Sequence, residues 1–198
     1  LPADAVRHAL AAEDYEHAAG LIEVAWPTMQ RNLRSKTILG WVKKLPDDMV
    51  RVRPVLSVAY TWMLFDAGDL EAAESRLRDA ERWLDAAADT AERQEPPPTE
   101  MVVVDEEQFR LLPGAIAAAR AYYAGALGDV PGTMEYARQA LDLIPENDHF
   151  MRTIPTALLG LAYLTVGDLD EAHRSMGAGM ASLQSADDIT SSIGIAPI

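Results

Sequence analysis

Four histidines stand in the chain, His8, His17, His149 and His173, and no two of them have the spacing of a metal-ligand pair. Glu13 and His17 share a helix face at i,i+4, which reads as a surface pair rather than an acid–base site. Cysteine is absent, which removes thiolate chemistry and any disulfide framework. A serine nucleophile would need a G-x-S-x-G elbow, and the sequence has none. Gly177-Ala178-Gly179 lies inside a helical pattern, with no strand before it and no later glycine to complete a dinucleotide fingerprint. There is no G-x-x-x-x-G-K-[ST] loop to cradle a phosphate. The many carboxylates fall on the solvent faces of amphipathic helices. We therefore expect no enzymatic activity, no metal and no cofactor in this segment.

The bulk properties define the frame. With 198 residues, 49% hydrophobic and 7% aromatic, the chain is long enough for one sizeable Ala/Leu-rich helical domain or repeat array. No apolar run is long enough to span a membrane and no secretory signal opens the chain, so a cytoplasmic setting is expected. Leu1 at the start and "SSIGIAPI" at the end read as an excerpt of a longer polypeptide.

The net charge of −14 argues against this segment gripping nucleic acid. One region runs the other way. Residues 29–54 hold Lys36, Lys43, Lys44, Arg31, Arg34, Arg51 and Arg53 against Asp47 and Asp48 alone, seven cations less two anions, a local +5. Arg34, Lys36, Lys43 and Lys44 are accordingly the candidates for a surface that docks an acidic neighbour; a solvated helix face is the plainer reading of the same residues.

The elements that must position any site announce themselves by repetition. "AGDLEAAE" (67–74) returns as "VGDLDEAH" (166–173). Counting from Gly68, Gly128 and Gly167, each glycine is followed by Asp and then an apolar residue: Leu70, Val130 or Leu169. Five positions on comes a small residue (Ala73, Thr133, Ala172), and nine positions on comes Leu77, Ala137 or Met176. A fourth, degenerate copy starts at Glu13-Asp14, with Tyr15, Ala18 and Ile22 in the same slots. This pattern predicts helix–turn–helix hairpins: glycine ends one helix in the left-handed conformation and Asp caps the next. The small residue lets the two helices approach closely.

First helices of the hairpins are expected over 3–12, 54–67, 114–127 and 153–166, giving an all-α solenoid treated as one domain over 1–198. The origins lie 55, 60 and 39 residues apart, so the first gap has room for an extra helix pair that includes 34–45. The second gap holds Pro96-Pro97-Pro98 and seven more acids than bases over 85–107, which predicts a Pro-rich acidic surface loop at about 85–104.

The last copy, with Leu159-Gly160, Tyr163, Gly167, Leu169 and Ala172, resembles a tetratricopeptide repeat (TPR). The third adds "YARQALDLIP", residues 136–145. A more specific resemblance is carried by "LGWVKKLPDDMVRVRPVLSVAYTWMLFDAGDLEAAESRL", residues 39–77, by the opening "AVRHALAAEDYEHAAGLIE" and by "PENDHFMRTIPTALLGLAYLTVGDLDEA". These are similar to the helical-repeat domain of the large ATP-dependent LuxR-type regulators, the MalT-like transcription activators. The resemblance implies an ATPase module and a DNA-binding helix-turn-helix outside this chain, with ATP bound only there. It also implies that this segment senses a small-molecule inducer or a regulatory protein and meets the neighbouring ATPase domain, without touching DNA or membrane. A free-standing TPR scaffold for a peptide, unrelated to transcription, is the alternative.

If the TPR register holds, one face of each first helix lines a concave surface. That face would carry Val55, Val58, Trp62, Phe65 and Asp66, then Ala118, Tyr122 and Gly125, then Ile154, Ala157, Leu161 and Leu164. Val58, Trp62, Phe65, Asp66, Tyr122 and Leu161 are the candidate ligand- or partner-binding residues. The same stripe also fits helices packed on their neighbours. Trp26, Trp41 and Trp83 read as wedges between hairpins.

Overall fold

A computed structural model describes residues 2–31, 35–92 and 101–194, and among them the chain is helical throughout, without strands. The fold is the expected all-α, TPR-like helical repeat. It divides into two compact units, Leu1–Leu112 and Pro113–Ile198, each described by itself below.

The first unit contains α1 (Pro2–Ala11), α2 (Tyr15–Arg31), α3 (Ser35–Val42), α4 (Asp47–Arg51), α5 (Pro54–Asp66) and α6 (Leu70–Glu92). The extra pair expected in the first gap is α3 and the short α4. The boundary between units falls within α7 (Glu106–Ala126), and the second unit continues with α8 (Val130–Leu143), α9 (His149–Val166) and α10 (Leu169–Gly194).

The four turns read from the sequence have one geometry. Gly68, Gly128 and Gly167 have φ of 78°, 76° and 82°, and Glu13 takes the same left-handed conformation at 57°. In each turn the Asp amide reaches back to a carbonyl five residues earlier: Asp14 to Ala9, Asp69 to Leu64, Asp129 to Ala124 and Asp168 to Tyr163, at 2.9–3.0 Å. The preceding residue's amide bonds a carbonyl three back, which completes a Schellman motif. Each Asp side chain then accepts an amide of the next helix: His17, Ala72, Gly132 and Glu171, at 3.0–3.2 Å. One residue therefore closes one helix and opens another.

The small residues do what their size predicts. Ala18, Ala73, Thr133 and Ala172 are all buried at the hairpin crossings. Gly160 shows a close approach: a Cβ there would stand 2.9 Å from Met176 Cγ and 3.4 Å from its backbone nitrogen, so a larger residue would force Met176 of α10 to shift.

Helix starts depart from expectation where a polar cap precedes a proline. α7 begins at Glu106 and α9 at His149, earlier than the expected 114 and 153, and both run through a proline (Pro113, Pro155). Asp105 accepts the amides of Glu107 and Gln108, and Asp148 accepts that of Met151. Those caps, rather than the prolines, set the helix starts. α6 likewise continues through Glu92, into the stretch read as the start of the acidic loop; residues 93–100, including the three prolines, lie outside the described residues. Met101–Val104 forms no strand, although the Val102 amide donates to the Val52 carbonyl at 2.8 Å.

The core of the first unit gathers Val6, Ala18, Ile22, Ile38, Val42, Leu56 and Met63, with Trp26 and Trp41 buried among them as wedges. Trp83 is half-buried, and its indole N–H donates to the Arg51 carbonyl at 2.5 Å, pinning α6 to α4. In the second unit Ala121, Ala137 and Leu159 form a small core joining α7, α8 and α9.

Candidate binding surfaces

α5 carries the first stretch of the expected concave face, and most of it is interior. Val55, Val58 and Phe65 are only 5–7% exposed, so they present no surface to a ligand. The cause lies in "PVLSVAYTWMLF", which is apolar around the whole helix and so buries the whole helix. Trp62 is half-buried, packs against the first unit's core and meets Phe65 edge-on at 5.6 Å between ring centroids. Asp66 is exposed, at the very end of α5.

In the second unit the face opens. On α7, Ala118 is buried, Tyr122 half-buried and Gly125 exposed. On α9, Ile154 is half-buried, Ala157 is exposed, and Leu161 and Leu164 are 53% and 49% exposed. Spacings of three, four and three residues put these four on one stripe. The opposite side of α9 buries Leu159 and Ala162. A leucine pair half in water on an otherwise packed helix is an available apolar surface. Val166 and Leu169, on either side of the turn, are also 58% and 65% exposed.

Of the basic candidates, Lys36, Lys43 and Lys44 are exposed, and Arg34 lies outside the described residues. None of the three lysines enters an ion pair among the described residues.

The structure also holds polar clusters that the sequence reading passed over. Arg53 is 1% exposed at the start of α5; its guanidinium bonds Glu23 Oε1 at 3.4 Å and also Glu16, both on α2. Glu23 is itself 2% exposed, and its Oε2 and the Arg53 Nε have no hydrogen-bond partner. Burial pushes the Glu23 carboxyl up to about 7, against the opposing pull of Arg53. The sequence signal was there: a glutamate inside the apolar "LIEVAW" and an arginine just before an apolar helix. A second cluster surrounds Asp79, 4% exposed, which pairs with Arg76 at 3.1 Å and with Arg82, and lies 4.0 Å from Arg51. Arg51 and Arg76 also pair with Asp47. Arg51, Asp79 and Arg82 of this cluster line an open groove with Ser75, Arg78, Glu81 and Asp85, where cations and carboxylates alternate. It clamps α4 to α6.

Among the described residues no helix is long and apolar enough to cross a membrane. Residues 114–196 match the family model of the MalT-like TPR region. The matched stretch, similar to a MalT-like TPR region as the sequence resemblance implied, coincides with the second unit. No curated protein and no solved structure matches the chain.

Proposed function

We propose that this chain is the signal-sensing segment of a MalT-like, LuxR-type transcriptional regulator, working in the cytoplasm. In this reading the open face of α9 receives a small-molecule inducer or a segment of a regulatory protein. Binding is then relayed to ATPase and DNA-binding domains encoded outside this chain. The observation that carries the proposal is the exposed Ala157–Leu161–Leu164 stripe, which lies inside the stretch that matches the MalT-like TPR region.

The chemistry follows from the stripe's composition. It has no charged side chain, so its ligand gains by removing apolar area from water, about 25 cal/mol per Å² buried. A ring face, a sugar's apolar face or the leucine edge of a helix would serve. To signal, the ligand must bind one arrangement of the parent protein more tightly than the other, since equal affinity shifts nothing.

A melting-temperature screen of this chain with small sugars, lipids and aromatic compounds tests the surface. A ligand that raises the melting temperature of the wild-type chain should leave Leu161→Asp/Leu164→Asp unmoved. An equal rise in both proteins places the ligand elsewhere and removes α9 from the account.

A further inference from the structure

The two sides of α3 differ sharply. One side places Ile38, Trp41 and Val42 in the core of the first unit. The other carries Lys36, Gly40 and Lys43 at i, i+4 and i+7, with Lys44 next in sequence and Thr37 beside them, all exposed. The Lys43 amide still bonds the Leu39 carbonyl at 3.0 Å, so the helical register holds to that point. The backbone positions of Lys36 and Lys43 are thus about 10 Å apart along the helix axis, from the 1.5 Å rise per residue. Between them, no atom lies within 4 Å of the position a Cβ on Gly40 would occupy.

These are the three lysines of the whole chain, placed within nine residues of a sequence that has 31 acids against 17 bases. With acids in such excess, cations are readily paired. Arg7, Arg51, Arg53, Arg76, Arg78, Arg82 and Arg174 each contact a carboxylate, whereas Lys36, Lys43 and Lys44 contact none among the described residues. Among the described residues this basic face of an acidic chain is therefore left unneutralised, around a glycine with open space beside it.

We propose that this face of α3 docks an acidic helix of a partner protein. A helix with carboxylates one heptad apart matches the Lys36–Lys43 spacing, and its backbone can cross α3 over Gly40. Charge complementarity selects the occupant. A DNA duplex or an anionic bilayer is an extended polyanion and meets the repulsion of the whole −14 chain, whereas a single acidic helix meets the local positive field. Contacts of this kind are exposed, so they set orientation and association rate and weaken with salt.

The test uses a fluorescent Glu/Ala helix with glutamates one heptad apart, and measures its anisotropy with the full chain at low salt. Binding should weaken on the order of tenfold in the Lys36→Glu/Lys43→Glu/Lys44→Glu protein and also on raising ionic strength past the Debye-screening range. A peptide with the same glutamates scattered around the helix should bind less well. Lys43 and Lys44 also sit at the negative end of α3, so a Lys→Gln set with unchanged melting temperature repeats the comparison without charge reversal. The Arg78→Glu protein should bind as wild type. Equal binding by the lysine variants or by the scattered peptide overturns the proposal, and so does tighter binding of a DNA duplex or of phosphatidylserine vesicles than of the peptide.

Discussion

Two single residues carry strain that can be measured. Glu13 occupies the left-handed slot that glycine fills in the three other turns, at φ 57°. A side chain in that conformation costs about 1–2 kcal/mol, part of which glycine gives back through its freer unfolded chain. Glu13→Gly should therefore stabilise the chain by about 0.5–1 kcal/mol, seen as a higher urea midpoint. An unchanged or lower midpoint would show that the turn draws on the glutamate side chain.

Glu23 works through pH. Its carboxyl is raised from 4.5 to about 7 in the folded chain, so between those values the native state holds a proton that the unfolded state has released. Stability from this group is full below about 4.5 and is lost as pH rises through about 7. Replacing Glu23 by Gln should flatten this component of the pH profile, a difference on the order of 3 kcal/mol between acid and neutral pH. If wild type and Glu23→Gln keep parallel profiles from pH 5 to 8, Arg53 holds the carboxylate ionised throughout.

At the scale of elements, the hairpin turns were readable because their chemistry is local. A left-handed residue, an Asp cap and a small residue at fixed offsets need no knowledge of the rest of the chain, and even the copy lacking glycine was found by its Asp14, Tyr15 and Ala18. Burial is not local. The stripe Val55, Val58, Trp62, Phe65 has the same 3.6-residue spacing as Ile154, Ala157, Leu161, Leu164, yet one is mostly core and the other mostly open. What separates them is the rest of each helix: α5 is apolar on every side, whereas α9 is open along Ala157, Leu161, Leu164 and Thr165. Trp62 illustrates the outcome. Trp62→Ala should lower stability by about 2–3 kcal/mol, less than for a fully buried aromatic, because only part of the ring is packed. A loss below about 0.5 kcal/mol in a denaturant titration would return Trp62 to the surface. The Glu23–Arg53 pair escaped a reading by motif because its partners come from α2 and α5, thirty residues apart.

For the whole molecule, the described residues build turns, caps and crossings that hold helix faces in place. The basic face of α3 and the open leucine stripe of α9 sit in different units. Their variants should act independently. Reversing the α3 lysines should leave the melting response to an α9 ligand intact, and the α9 aspartates should leave binding of the acidic helix intact. Cross-effects would mean that one surface shapes the other. Under the proposed function, α9 is the entry point of the signal. The most direct test of this is inducer-dependent reporter transcription by the full-length parent protein carrying Leu161→Asp/Leu164→Asp. The response should be lost while the variant keeps the helix content and melting temperature of the wild type, since both side chains already face water. A wild-type response from the double variant would contradict it.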